Sequence, residues 1–137
     1  IVRIARGVRG RVPFRMECFP AFDYARGRHE LLVDDTIAVF SSGGARLALL
    51  SPYPLRVDEQ GVTCDFHLEG NETATFVLQY LNGPVPDIPS DLTAYGVQAL
   101  QDAGHFWQAW AGKCQYRGRW REMVVRSALV LKLMTFQ

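Results

Sequence analysis

Two hydrophobic periods divide the chain. Over residues 2–80 apolar and polar positions alternate with the period of two that puts one face of a β-strand into a core and the other into water. Val12, Phe14, Met16 and Cys18 alternate with Arg11, Arg15 and Glu17, and Pro20 ends that strand. Ile37, Val39 and Phe40 lead into Ser41-Ser42-Gly43-Gly44, read as a flexible turn, and Leu47, Leu49 and Leu50 continue until Pro52 and Pro54 interrupt pairing. That pattern predicts a hairpin. A second has Leu55 and Val57 on one arm and Asp58-Glu59-Gln60-Gly61 in the turn. Its other arm turns Val62, Cys64, Phe66 and Leu68 inward and Thr63, Asp65, His67 and Glu69 toward solvent. After the turn Gly70-Asn71-Glu72, the positions Ala74, Phe76, Leu78 and Tyr80 are expected inside. The stretch reads as short antiparallel strands joined by tight turns.

The period then changes. The segment 82–89, NGPVPDIP, holds a glycine and several prolines, which stop a sheet and cannot begin a helix interior, so it reads as a linker. Ser90 and Asp91 offer N-cap oxygens to a helix whose apolar stripe, Leu100, Ala103, Trp107, Trp110 and Cys114, recurs at spacings of three and four. Gly112 is expected to end it, and Tyr116-Arg117-Gly118 to form the turn. Residues 119–137 predict a further helix that is apolar nearly all round, with Met123, Val124, Val125, Ala128, Leu129, Val130, Leu131, Leu133, Met134 and Phe136 at every wheel angle. Such a helix is expected to pack among helices that this sequence does not contain, so the chain reads as a piece of a larger soluble protein. Arg121, Glu122, Arg126, Ser127 and Lys132 keep the apolar run below the roughly 20 residues a bilayer span needs. The expected division is 1–81 for the strands, 82–118 for the linker and its helix, and 119–137 for the last helix. Ile1 opens directly into strand-like sequence with no signal-peptide pattern; localisation is not legible, with cytoplasmic preferred to secreted.

Composition narrows the function classes. A chain of 137 residues, 48% hydrophobic, has material for one good core. Its net charge of +1, with signs interleaved, gives no field to draw nucleic acid or an anionic membrane, and neither is expected as a partner. Cys18, Cys64 and Cys114 are odd in number and lack ligand spacing; Cys18 and Cys64 read as small buried hydrophobes. With His29, His67 and His105 equally scattered, no metal and no cofactor is expected.

Candidate chemistry is thin. Asp34 and Asp35 are adjacent, so on a strand they face opposite ways and mark a solvated strand or turn rather than an acid/base pair. Asp23, bracketed by Phe22 and Tyr24 after Pro20, is a substrate-contact candidate, although an aspartate held by backbone donors at a strand end is the commoner arrangement. No nucleophile elbow or phosphate-binding glycine loop occurs in a suitable context. Asn71-Glu72-Thr73 fits a glycosylation acceptor but reads as a turn. Trp107 and Trp110 share the helical stripe and are assigned to packing between structural units, not to sugar; Trp120, at a helix start, is less determined. Arg3, Arg6, Arg9, Arg11 and Arg15 do not share one strand face and read as a solvated or interface surface.

The order of these motifs carries a resemblance. Val2-Arg3-Ile4, Gly7-Val8-Arg9-Gly10, Pro20-x-Phe22-Asp23-Tyr24, Phe106-Trp107-x-x-Trp110, Tyr116-x-Gly118-x-Trp120-Arg121 and the stretch Arg126-Ser127-Ala128-Leu129-Val130-Leu131-Lys132 together resemble bacterial family 15 glycoside hydrolases, the glucoamylase-like and trehalase-like enzymes. The resemblance implies an antiparallel β-sandwich of the supersandwich kind, then a linker helix and the first helix of an (α/α)6 barrel, a mixed β-then-α fold. The early part of the sandwich would precede Ile1. It also implies an inverting hydrolysis of α-glucosidic bonds in an α-glucan or trehalose-like saccharide, by a glutamate acid and a glutamate base held roughly 6.5–9.5 Å apart. Both would lie in the barrel, so no catalytic residue is expected in this chain. Asp23, Tyr24 and Trp120 remain substrate-binding candidates; Trp107, Trp110, Arg126 and Lys132 are expected in structural or interdomain contacts. One departure stands out: the family carries arginine where this chain has Ala21. Two other readings stay open, a carbohydrate-binding sandwich without catalysis and a structural or interaction module.

Overall fold

A computed structural model describes residues 1–59, 61–84, 89 and 91–135. Among them are eight strands: β1 (Val2–Arg6), β2 (Val12–Cys18), β3 (Glu30–Asp34), β4 (Ile37–Ser42), β5 (Ala45–Leu50), β6 (Arg56–Asp58), β7 (Gly61–Leu68) and β8 (Thr73–Tyr80). Two helices follow, α1 (Leu92–Gly112) and α2 (Arg121–Met134). The strands form a five-stranded sheet, β1-β8-β5-β4-β3, and a three-stranded sheet, β2-β7-β6, with every pairing antiparallel. Antiparallel strands followed by helices are what the two periods predict, and their arrangement as a β-sandwich is what the resemblance implies.

The core lies between the sheets. Ala38, Phe40, Leu49, Ala74 and Phe76 from the larger sheet meet Val62, Cys64, Phe66 and Leu68 from the smaller one. Aromatic rings knit the layer: Phe66 stacks on Tyr53 at 4.6 Å and on Phe14 at 5.4 Å and tilts against Phe76 at 5.5 Å. The central strands of the larger sheet are buried on their outer face as well. Val39 and Ala48 pack with Leu81, and Leu50 and Val77 pack with Leu92 from the start of α1. Contiguous apolar runs such as Leu49-Leu50 and Phe76-Val77 belong to strands covered on both sides. Gly96 brings the first turns of α1 against β8, where a Cβ would meet the Thr75 methyl at 2.5 Å. The Thr75 hydroxyl is fully buried there without a hydrogen-bond partner.

Turns follow local chemistry. Ser42 pairs with Ala45, so the β4–β5 turn is the two residues Gly43 and Gly44, at φ +55° and +84°. Positive φ at both positions matches the twist of a tight hairpin, and glycine adopts it without steric cost. Ser41 and Ser42 are thus strand residues, not part of a flexible tip. Asp34 ends β3 and Asp35 takes the turn at φ +45°, as the solvated reading of that pair expects.

Parity was right more often than burial. Val12 is opposite Leu68, yet it begins an edge strand and is 38% exposed. Val57 is opposite the buried Val62 but lies on the edge strand β6, exposed, and Tyr80 is opposite Leu47 but ends β8, also exposed. Thr63, expected in solvent, is buried because it sits on the central strand β7, flanked across its two ladders by Glu17 and Arg56. At the start of α1 the Asp91 carboxylate accepts the Ala94 N–H at 2.9 Å, the expected N-cap. Ser90, the linker positions 85–88, Gln60 and Phe136 lie outside the described residues.

The chain divides into two compact units, residues 1–98 and 99–137. The second holds the rest of α1 and all of α2, in which no residue is buried. Trp110 meets Trp107 edge-on at 6.3 Å, and Trp107 meets Phe106 at 5.1 Å. Among the described residues no helix is long and apolar enough to cross a membrane.

Candidate functional site

The most unusual backbone in the sandwich unit follows β2. Asp23, Tyr24 and Ala25 have φ values of +47°, +55° and +65°, three successive non-glycine residues in the left-handed region. Each such residue costs on the order of 1 kcal/mol from Cβ crowding, so the surroundings must hold the turn in place. They do so from both ends. Gly27 donates its N–H to the Phe22 carbonyl at 3.1 Å, and Arg26 donates its own to the Asp23 carbonyl at 3.1 Å. Below, Phe22 packs on the core, its ring 5.3 Å from His29, which in turn lies 5.5 Å from the fully buried Phe40. Ser42 on β4 donates its hydroxyl to the Arg28 carbonyl at 2.7 Å.

The turn lifts Tyr24 off the surface, 91% exposed. Arg26 completes it. Its guanidinium donates to the Asp23 carboxylate at 2.9 Å and to the Asp23 carbonyl at 3.2 Å, and stands 5.7 Å from the Tyr24 ring. The ion pair is largely solvated, so its value is orientation rather than stability. Asp23 therefore has a guanidinium partner although position 21 is alanine. The sequence reading gives Arg26 no role and places neither His29 nor Phe40 at this loop. An arginine three residues after an aspartate was the available signal for Arg26; the ring contacts depend on a tertiary approach no spacing reveals.

Near the base of this loop a hollow of about 490 Å³ is bounded by Arg28, His29, Glu30, Ser41, Ser42 and Arg46. Its charged and hydroxyl groups could hold a polar, hydroxyl-bearing ligand. It offers Glu30 as its one carboxylate, and hydrolysis by paired acids needs two. Elsewhere in the unit acids serve structure: Glu17, Asp58 and Asp65 converge on Arg15, Glu69 pairs with Arg11, and Glu72 accepts the Glu69 N–H at 2.7 Å. Burial raises the thiol pKa of Cys18, an effect that nearby Arg3 partly opposes, and burial likewise raises that of Cys64. Thiols held neutral are poor nucleophiles. No group of three histidine, cysteine or acidic side chains suited to a metal occurs among the described residues.

The remaining sequence candidates lie in the second unit, where each is set by the local helix. Trp120 precedes α2 and accepts the Val124 N–H at 3.0 Å through its carbonyl, with the Arg119 guanidinium 4.6 Å from its half-exposed ring. Arg126 pairs with Glu122 one turn earlier at 2.9 Å. The Lys132 carbonyl accepts the Thr135 hydroxyl at 2.7 Å at the helix end. Trp107 and Trp110 are half-buried.

Two known proteins are similar to this chain. A trehalase of Thermoplasma acidophilum is 26% identical over 118 residues, 86% of this chain and 20% of that protein. A trehalase of Thermoplasma volcanium is 22% identical over 118 residues, 86% of this chain and 18% of that protein. The chain is thus a distant homologue of archaeal trehalases over most of its length, and it spans about a fifth of the length of the curated relatives it matches. No protein-family model matches it, and no solved structure does.

Proposed function

We propose that residues 1–137 are the non-catalytic, N-terminal part of an inverting glycoside hydrolase acting on α-glucosidic bonds, of trehalase rather than glucoamylase preference. The observation that carries this reading is the likeness to two trehalases over 86% of the chain. The order of strands and helices agrees with the family 15 resemblance. In this reading residues 1–81 are the sandwich, 82–118 the linker and its helix, and 119–137 the first helix of a helical catalytic barrel. The apolar surface of α2, with Met123, Leu131, Leu133 and Met134 all exposed, is of the kind that further helices cover.

The catalytic acid and base belong to the barrel, and the sandwich serves as its support. Within the sandwich the turn at Asp23 and Tyr24 is the part suited to touch sugar: an aromatic face meets the C–H face of a pyranose, while Arg26 and Asp23 offer a donor and an acceptor to hydroxyls. Assay of the complete parent enzyme on trehalose, maltose and starch, with the anomer of the released glucose followed by NMR, tests the reading. Trehalose hydrolysis with inversion is expected, and none by residues 1–137 alone. Turnover by that segment, or retention in the parent, would refute it.

A carbohydrate-binding sandwich without catalysis is the second reading, motivated by the exposed Tyr24 and the polar hollow near its loop. Titration of residues 1–137 with trehalose and maltose separates the two: saturable binding without any active parent would favour it. The strand aromatics speak against a flat sugar platform, since Phe14, Phe40, Phe66 and Phe76 all face the core.

A further inference from the structure

The chain has asparagine at two positions, Asn71 just before β8 and Asn82 just after it, and both are exposed. An asparagine carboxamide reacts with its own backbone when the nitrogen of the next residue can reach Cγ. At Asn71 both groups are held. The Glu72 N–H is donated to the Glu69 carbonyl at 3.1 Å, the Asn71 N–H to the Gly7 carbonyl at 2.6 Å, and the Glu72 carbonyl accepts the Gly7 N–H at 2.9 Å. The Asn71 Oδ1 accepts from the Arg6 guanidinium at 3.4 Å. At Asn82 neither group is held. Among the described residues, the Gly83 N–H and the Asn82 side chain have no hydrogen-bond partner. Gly83 also offers no side chain to block the approach, and a Cβ built there would meet nothing within 4 Å. The Arg46 guanidinium holds the Gly83 carbonyl at 3.1 Å, one peptide unit beyond the one that must turn.

We propose that Asn82 is a site of spontaneous covalent modification, converting through a succinimide with Gly83 to aspartate and isoaspartate. The Gly83 nitrogen loses its proton to hydroxide and attacks Cγ of Asn82. The N–Cγ bond forms, the Cγ–Nδ2 bond breaks, and Nδ2 leaves as ammonia after taking a proton from water. Water then adds to either ring carbonyl, and the bond from that carbon to the ring nitrogen breaks, the nitrogen regaining a proton. Cleavage at Cγ gives aspartate. Cleavage at the Asn82 backbone carbon gives isoaspartate, whose main chain runs through Cβ and Cγ. The net change consumes water and releases ammonia, with no oxidation or reduction. Either product adds a carboxylate next to the residue that Arg46 tethers, and isoaspartate lengthens the main chain by a methylene where it leaves β8. Nothing in this chemistry depends on the activity of a longer parent.

Residues 1–137 are incubated folded at mildly alkaline pH, and the peptide around each asparagine is followed by mass spectrometry for the exchange of NH2 for OH. Methylation by an isoaspartyl methyltransferase identifies the rearranged product. Asn82 should convert about tenfold or more faster than Asn71, whose hydrogen bonds must open first. Its rate should climb with pH, because the amide anion is the nucleophile. A following glycine favours the reaction in any chain, so the same measurement in urea separates structure from sequence. Unfolding should speed Asn71 by about tenfold or more and leave Asn82 within about threefold of its folded rate. Gly83→Ala puts a methyl into open space, keeps the fold, and should slow Asn82 by about tenfold. Equal rates at the two positions in the folded chain, equal acceleration of both in urea, or conversion of Asn82 without isoaspartate would each overturn the proposal.

Discussion

The two units solve the problem of apolar surface in opposite ways. In residues 1–98 each central strand finds cover, so that Phe40, Ala48, Val62 and Ala74 are all 0% exposed. In residues 99–137 the second helix is as apolar in sequence and buries nothing, with Leu131, Leu133 and Met134 at 66%, 68% and 78% exposure. Sequence hydrophobicity therefore measures a demand for burial, and only the first unit meets that demand from its own residues. Helix α2 owes its ends to local devices, the Trp120 carbonyl and the Thr135 hydroxyl, and its stability in the segment should be correspondingly slight.

Substitutions can break this contrast. The largest effect is expected for Phe40→Ala, about 3–5 kcal/mol of lost stability, read from urea unfolding of residues 1–137 followed by circular dichroism. Leu131→Ala and Leu133→Ala in the same protein should change that transition by less than about 0.5 kcal/mol. Removal of residues 119–137 should leave the sandwich transition in place and raise solubility; a sandwich that unfolds on deletion would show that α2 belongs to its core. Trp107→Ala should fall between these cases in the segment, since its ring is half-buried, and approach the Phe40 value only in a parent that covers it.

Smaller effects sharpen the contrast within the sandwich. Ala25→Gly should stabilise by about 1 kcal/mol by relieving a left-handed alanine, seen as a higher melting temperature. Thr75→Val removes a buried hydroxyl that has no partner and should be neutral or stabilising by up to roughly 1 kcal/mol. Alkaline pH should weaken the first unit selectively. Cys18, Cys64 and Tyr53 all have pKa values raised by burial, from ordinary values of 9.0, 9.0 and 10.0. Groups raised in the folded state favour folding below their unfolded pKa, and that contribution is lost as pH climbs through the folded values. Unfolding midpoints measured from pH 7 upward should fall above about pH 9, less steeply after Cys18→Ala.

Much of the sandwich was legible in the sequence because parity in a strand is a local property. The inward set of β2, β7 and β8 follows from alternation alone, and Gly43-Gly44 announces a tight turn. Edges were not legible. Val12, Val57 and Tyr80 have inward parity but lie where a strand begins, borders the sheet or ends, and strand order is a long-range property that alternation does not encode. The outer cover of the larger sheet was hidden for the same reason, since it depends on Leu81 and Leu92 folding back over Val39 and Val77. At the candidate site, Asp23 and Tyr24 were visible as a motif. The guanidinium that orients them was not, because none of the three left-handed positions that bring Arg26 around, Asp23, Tyr24 and Ala25, is the glycine that would signal such a turn.

The pairing of β1 with β8 has a consequence in time. Val2 lies opposite Val77, whereas the β3–β4–β5 meander joins neighbours through turns of two residues. Closing a loop that encloses nearly the whole sandwich costs more chain entropy than closing a hairpin, so the meander can assemble early and the first strand must wait for β8. In refolding, protection of the amides in residues 37–50 should precede that of residues 2–6, as pulsed hydrogen exchange would record. During synthesis β1, which emerges before β8, would then wait for it, its pairing edge open throughout the interval.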